Sequence, residues 1–144
     1  MSFRDLKGQE LAPTSWVEVS QERIDAFADA TDDHQWIHVD PEQAAAGPFG
    51  TTIAHGYLTL SLCAPLLADA LAGVGGAGMS INYGTNKVRF PAPVPAGSRI
   101  RARVTVASVE DVPGGEQAVV HTEIEREGGD KPVCVADLVI RRLV

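Results

Sequence analysis

The most constraining feature of this sequence is GYLTLSLCAPLLADAL at positions 56–71, a segment that is apolar on almost every side of a helix. Its leucines occupy nearly the whole helical circumference: Leu58, Leu60, Leu62, Leu66, Leu67 and Leu71. A helix without a polar face has to be buried on most of its sides. Pro65 lies inside the segment and removes the backbone hydrogen bond to Ser61, so we expect a kink there. The segment therefore predicts a long helix enclosed by the rest of the fold.

The C-terminal half predicts the strands that would enclose this helix. GVGGAG at 73–78 is a predicted flexible connector, and apolar and polar residues then alternate with a period of two at 99–106 and 117–124. Residues 79–90 and 133–143 supply two further strands, and short PGG and GG turns favour antiparallel neighbours. One set of polar positions is basic and is predicted to form a solvated strand face: Arg99, Arg101 and Arg103. The expected class is α+β, with a curved antiparallel β-sheet wrapped around a long central helix.

The N-terminal third predicts shorter elements on either side of a polar loop. TSWVEVS at 14–20 alternates like a half-buried strand, and Ser20 then has the position of a helix N-cap. The helix that follows should end near Thr31, where the polar segment begins. A short helix is predicted from Pro41 to Ala46, because proline is favoured at the first helical position. Three aromatic residues are predicted to lie in the core: Trp16, Phe27 and Phe49.

Size and charge limit the class of protein. The chain has 144 residues with a formal net charge of −7, and 44% of its residues are hydrophobic. This length predicts one domain spanning residues 1–144, and the acidic balance argues against nucleic acid as a partner. Neither an apolar run of membrane-spanning length nor a secretory signal is visible, so we expect a cytoplasmic protein without a membrane partner. In that compartment Cys63 and Cys134 are expected to be buried thiols.

The densest group of ionisable residues is the polar segment DDHQWIHVD at 32–40. Asp33 and His38 are five positions apart, so a folded-back loop would bring both side chains to one point. A carboxylate and an imidazole beside one water can share acid and base roles. From spacing alone a second interpretation stays open, in which Asp33 caps the loop and His38 is a hydrogen-bonded structural histidine.

A second motif, TTIAHGY at 51–57, leads into the apolar helix. Backbone N–H groups at a helix N-terminus have no intrahelical partner, and Gly56 has no Cβ to keep a ligand's oxygen away from its own N–H. That arrangement suits the stabilisation of an enolate or oxyanion. The residues alone equally allow Gly56 to serve only as a tight helix start. They also leave His55 open as a capping, packing or catalytic residue.

Together the two segments resemble a known family. TDDHQWIHVDPEQA and PFGTTIAHGYLTLSL are similar to the hydratase motif of the MaoC-like, R-specific enoyl-CoA hydratases, and most of all to the subgroup that includes nodulation protein N. The family pattern is Gly-Asp-x-Asn-Pro-aliphatic-His-x-Asp, and its matching places are filled by Asp33, Ile37, His38 and Asp40. The segment NKVRFPAPVPAGSRIRARV also resembles the family's strand and turn, so the resemblance covers nearly the whole chain.

Three positions depart from that pattern. Asp32 stands where the family usually has Gly, Gln35 where it has Asn, and Trp36 where it has Pro. Gln35 keeps the amide chemistry, and Trp36 is expected to pack the loop against the body of the protein. A serine implicated in some relatives is replaced by Ala64, so that role is not carried over to this chain.

The resemblance implies a hot-dog fold in a homodimer whose sheets join edge to edge. The implied reaction is the reversible syn addition of water to a trans-2-enoyl-CoA, which gives the R-3-hydroxyacyl-CoA. Asp33 and His38 would hold the water, one removing its proton while the other protonates C2, with the two roles left unassigned. The Gly56 N–H would bind the thioester carbonyl. No metal and no cofactor is implied, because coenzyme A is part of the substrate.

Two other functions stay open from the sequence. A hot-dog thioesterase would hydrolyse the acyl thioester at the same oxyanion site and release free coenzyme A thiol. A non-catalytic acyl-thioester binding module would keep the fold without the chemistry. The presence of both Asp33 and His38 argues against the second alternative.

Overall fold

A five-stranded antiparallel sheet and one long helix form the body of the protein. The computed structural model describes residues 1–74 and 78–144, so part of the predicted connector GVGGAG, residues 75–77, lies outside the described residues. The strands are β1 (Val17–Val19), β2 (Met79–Arg89), β3 (Ser98–Val112), β4 (Gly115–Arg126) and β5 (Cys134–Leu143). The helices are α1 (Phe3–Leu6), α2 (Gln21–Thr31), α3 (Trp36–Val39), α4 (Pro41–Ala45) and α5 (Gly56–Ala70). None of the helices that the structure describes has both the length and the hydropathy needed to cross a membrane.

The alternation in the sequence decides which face of the sheet is buried. The strands pair in the order β1-β3-β4-β5-β2, with every neighbouring pair antiparallel. Every second residue is buried in the core over 100–106 of β3 and 118–124 of β4: Ile100, Ala102, Val104, Val106, Ala118, Val120, Thr122 and Ile124. On the other face Arg101 and Arg103 both pair with Glu125, and Arg99 pairs with Glu127. The predicted solvated face of basic residues is confirmed, and carboxylates on the adjacent strand and turn neutralise it.

The apolar segment forms α5, which continues through Pro65. Its buried face carries Leu58, Leu66 and Leu67, whereas Tyr57 on another side of the helix is 71% exposed. The prediction that this helix is enclosed on most sides is wrong for the single chain. The physical reason is that the sheet covers only the side of α5 that packs against β3 and β5.

The caps of the N-terminal helices agree with the sequence. Ser20 accepts a hydrogen bond from the backbone N–H of Arg23 at 3.2 Å, and α2 ends at Thr31 as predicted. Asp40 caps α4 in the same way, with its carboxylate accepting from the N–H of Gln43 at 3.0 Å. Each cap satisfies one of the donors that a helix start leaves unpaired.

Three short elements differ from the sequence-based expectation. The strand β1 is shorter than predicted, because only residues 17–19 pair with β3. The polar segment predicted as a loop contains the one-turn helix α3, since the N–H groups of His38 and Asp40 donate to the carbonyls of Gln35 and Trp36. The helix α1, which buries Phe3 against the core, is not predicted from the sequence.

The aromatic residues predicted as core are only partly buried. Phe27 packs against the core, and Trp16 is half-buried under Arg101, whose guanidinium carbon lies 4.3 Å from the centre of the indole ring. Phe49 is 47% exposed, so its assignment to the core is wrong. Phe49 lies in the segment that follows α4, where its side chain lines a pocket. Both cysteines are free and buried, as expected.

Candidate functional site

A left-handed turn at Asp32 ends α2 and begins the loop that carries Asp33. The φ of Asp32 is 60°, and among the residues described it is the only positive φ outside glycine. Glycine adopts this conformation without strain, and aspartate tolerates it better than most other residues. The left-handed φ at position 32 therefore explains why the family pattern has Gly there. Asp32 adopts the same φ at some cost in strain. The Asp33 that follows is exposed.

His38 is the buried member of the predicted pair, at 7% exposure on α3. Its Nδ1 lies 2.7 Å from the carbonyl oxygen of Ile53. Because a carbonyl only accepts hydrogen bonds, Nδ1 carries the proton, and Nε2 of the neutral ring carries the lone pair. Burial lowers the pKa of His38 and neighbouring His55 lowers it further, against the opposing effects of the Ile53 hydrogen bond and the Asp33 charge. His38 is therefore a neutral imidazole at pH 7.

Gln21 fixes the backbone beneath His38. Its Nε2 donates to the carbonyl of His38 at 2.8 Å, and its Oε1 accepts from the hydroxyl of Thr52. One amide thus joins the start of α2, the helix α3 and the segment before α5. The residue pattern does not predict this role for Gln21, whose local signal is a polar amide directly after the helix cap Ser20.

His55 is the residue before α5 and is 2% exposed. Its Nε2 lies 2.9 Å from the backbone carbonyl oxygen of Asp33, so this nitrogen is the donor. Its ring stacks on that of His38, with centroids 3.9 Å apart and planes 23° from parallel, and contacts Phe27 at 4.9 Å between centroids. The side chain makes no helix-cap hydrogen bond, so the capping role is not observed. The packing role is observed in the ring contacts of His55 with His38 and Phe27, together with its hydrogen bond to Asp33.

These residues bring three ionisable side chains together. A carboxylate oxygen of Asp33 and one ring nitrogen each of His38 and His55 all lie within 4.8 Å of one another. Two histidines and an aspartate are also a common set of metal ligands. However, Nδ1 of His38 and Nε2 of His55 already donate to the backbone carbonyls of Ile53 and Asp33, so only the other nitrogen of each ring could bind an ion. That the protein has no resident metal stays a prediction.

A pocket of about 320 Å³ opens beside His38 at the start of α5. Its walls are mostly apolar and come from the segment before α5, the first turn of α5, the β2–β3 connection and the residue before β5: Phe49, Ile53, Ala54, Thr59, Phe90, Pro91, Ala92, Pro93, Val94 and Val133. Gly56 also lines it, and a Cβ at this residue would lie 3.0 Å from Cε2 of Phe90. The missing side chain therefore keeps the space between the helix start and the Phe90 ring open. As the first residue of α5, Gly56 has an N–H without an intrahelical acceptor.

The structure brings Asp33 and His38 together and places Gly56 in the pocket that His38 also lines. Trp36 packs the loop against Gly47 as expected, since a Cβ at position 47 would lie 3.0 Å from the indole. The sequence does not predict that Phe49 and Phe90 line the pocket. Phe90 lies between a strand and Pro91, and nothing in the local sequence says which way its ring points.

Residues 2–128 match the family described as MaoC like domain. The 3-hydroxyacyl-thioester dehydratase Z of Mycobacterium tuberculosis is 56% identical over 135 residues, which cover 93% of this chain and 89% of that protein. Nodulation protein N of Rhizobium leguminosarum bv. viciae is 43% identical over 135 residues, covering 92% of this chain and 83% of that protein. The solved structure of the (R)-hydratase from A. caviae involved in PHA biosynthesis has a TM-score of 0.76 at 30% identity, covering 93% of this chain and 94% of that chain.

These similarities confirm the predicted hot-dog fold, in which the curved antiparallel sheet packs against the long helix α5. They also confirm the resemblance that the two segments around Asp33 and His55 carry, because the match extends over most of the chain. The chain belongs to the MaoC-like domain family.

Proposed function

We propose that the protein is a hydro-lyase that adds water reversibly to a trans-2-enoyl-CoA and gives the R-3-hydroxyacyl-CoA. The observation that carries the proposal is the approach of the Asp33 carboxylate to the neutral imidazole of His38, beside the pocket that Gly56 lines. The names of the relatives support it, since they include a 3-hydroxyacyl-thioester dehydratase and an (R)-hydratase.

The pocket supplies a place for the thioester. Its apolar walls suit an acyl chain, and the Gly56 N–H at the start of α5 suits the thioester carbonyl oxygen. A hydrogen bond there stabilises the enolate that forms when water adds at C3. The positive end of the helix dipole adds to this effect, because the developing charge is negative.

His38 moves the proton, and Asp33 orients the water. As the water oxygen bonds to C3, Nε2 of His38 takes one of its protons and the double-bond electrons move to the carbonyl oxygen. The protonated Nε2 then returns that proton to C2 as the enolate collapses, while the carboxylate of Asp33 accepts a hydrogen bond from the other water hydrogen. Both additions come from one face, so the addition is syn. No step needs a cofactor, because coenzyme A belongs to the substrate.

We also propose a homodimer that forms along the free edge of β2. This strand is at the end of the sheet, and among the residues that the structure describes it pairs with β5 alone. Ten of its eleven residues are exposed. Met79 and Tyr83 on it are 62% and 59% exposed. A long exposed edge strand favours pairing with a second copy. Light scattering at micromolar concentration should give the mass of two chains, and a monomer would contradict this part of the proposal.

The function is tested by following the ultraviolet absorbance of crotonyl-CoA, with a thiol reagent in a parallel sample. Hydration removes the conjugated absorbance and releases no thiol, which is the expected result. Release of free thiol would instead indicate a thioesterase. A folded protein that binds the thioester without changing either signal would be a non-catalytic binding module.

A further inference from the structure

His55 contacts both members of the proposed catalytic pair without lining the pocket beside them. We infer that His55 is a positioning residue, which holds the backbone of Asp33 and the ring of His38 in the arrangement that hydration requires. The inference rests on the proposed function, since the arrangement has meaning only if Asp33 and His38 act on one water.

The first contact fixes Asp33. This residue is exposed, and within the described part of the chain the one hydrogen bond that its carboxylate accepts is a long bond of 3.5 Å from the N–H of Gln35. Its carbonyl, in contrast, accepts a 2.9 Å hydrogen bond from Nε2 of His55, which is buried in the body of the protein. A reacting group displaced by about 1 Å costs on the order of a hundredfold in rate. The hydrogen bond from His55 therefore fixes the backbone position from which the Asp33 side chain extends.

The second contact fixes His38. Its Nδ1 is bound to the Ile53 carbonyl, and its ring face lies on His55 at 3.9 Å between centroids. A bond at one edge and a stack on one face leave the ring little freedom to rotate. The direction of the Nε2 lone pair, which must meet the water, is then set by Ile53 and His55 together.

His55 has a chemical feature that packing alone does not explain. With Nε2 protonated, Nδ1 is a buried acceptor, and it has no partner within residues 1–74 and 78–144. A buried polar atom without a partner destabilises a fold, so an apolar side chain would serve packing better. Retention of stability together with loss of turnover would therefore separate positioning from packing.

The experiment compares His55→Phe and His55→Gln with the packing control Phe27→Leu, which changes a neighbour of the same ring and leaves its hydrogen bond. We expect His55→Phe to keep the melting temperature and KM while kcat falls by at least roughly tenfold, because no donor reaches the Asp33 carbonyl. The amide of His55→Gln restores a donor, so kcat should recover in part. Phe27→Leu should keep kcat within about threefold of the wild type, because the donor to Asp33 is still present.

Two results overturn the inference: a wild-type kcat in His55→Phe, or the same loss in Phe27→Leu as in His55→Phe. Where His55→Phe does not fold, His55→Leu takes its place. The carbonyl carbon resonance of Asp33 is measured in each variant, since loss of its hydrogen bond moves that signal. A wild-type protein without hydratase activity would refute the proposed function alone. An Asp33 resonance unmoved by the loss of the His55 donor would refute the positioning role.

Discussion

The substitution Gly56→Val tests the proposed thioester site most directly. Gly56 begins α5 in the pocket wall, and an added Cβ would lie 3.0 Å from Cε2 and 3.1 Å from Cδ2 of Phe90. Carbon atoms attract best at about 3.5–4.0 Å, so the added atom repels the ring. The two methyl groups of valine then occupy the space through which an acyl carbonyl would reach the N–H.

The expected changes in stability and kcat depend on whether Phe90 and the backbone at Gly56 can adjust to the valine side chain. Phe90 is 42% exposed, so its ring can swing outward, and the backbone at Gly56 is not in the left-handed region. We expect the free energy of unfolding to change by less than about 1 kcal/mol. Loss of one oxyanion donor costs about 10²–10³ in kcat, so hydration should fall by roughly a hundredfold or more.

The assay is crotonyl-CoA hydration beside thermal melting. The control is Gly73→Val, because a Cβ at Gly73 meets no atom of residues 1–74 and 78–144 within 4 Å and its φ is not left-handed. This variant should keep the activity of the wild type. The double variant Gly56→Val/Phe90→Ala removes the ring but leaves the methyl groups, and we expect it to stay inactive.

Two outcomes would refute the reasoning. A stable Gly56→Val with unchanged activity would mean that the carbonyl is bound by another donor. Recovery of activity in the double variant would mean that displacement of Phe90, not obstruction of the N–H, caused the loss.

Three further predictions concern the loop and the helix beside it. Asp33→Asn and His38→Gln should each lower kcat by at least roughly a hundredfold with the fold intact. His34→Gln, which changes an exposed histidine paired with Asp29, should have only a mild effect on kcat. Near-wild-type turnover in Asp33→Asn or His38→Gln would remove that residue from the mechanism. The pKa of His38 is lowered, so its base form persists below pH 6.5, and hydration should fall only as the pH drops through that lower value. The folded state also binds this proton less readily than the unfolded chain does, so the free energy of unfolding should decrease as the pH falls from 6.5 toward the lowered pKa, and urea titrations of His38→Gln should show a smaller decrease. The φ of Asp32 is 60°, so Asp32→Val should lower the free energy of unfolding, measured by urea titration, by about 1–2 kcal/mol. Asp32→Gly should leave that free energy unchanged or raise it. Equal losses in both variants would contradict the assignment of backbone strain to this residue.

Much of the fold follows from neighbouring residues in the sequence. The period-two alternation in β3 and β4 decides which side chains enter the core, because successive residues of a strand face opposite ways. Ser20 and Asp40 cap α2 and α4, because an oxygen at that position meets an N–H only three residues away. These interactions are local, so the residue order is enough to predict them.

The proximity of Asp33 and His38 is an intermediate case. The spacing of five positions allows a folded-back loop, but it equally allows a cap and a structural histidine. The structure shows that the second description is partly correct as well, since Nδ1 of His38 is bound to a backbone carbonyl. That bond leaves Nε2 free, which is the nitrogen that the proposed reaction uses.

The chemistry of the site depends on contacts between segments that are far apart in the chain. The tautomer of His38 is set by Ile53, 15 residues away, and the backbone of Asp33 is held by His55, 22 residues away. The exposed side of α5 and the position of Phe90 at the pocket depend likewise on where the sheet ends. Residue types and periodicity therefore determine the elements and the candidate groups. Protonation, orientation and solvent access are decided only when the folded chain brings distant carbonyls and rings against those groups.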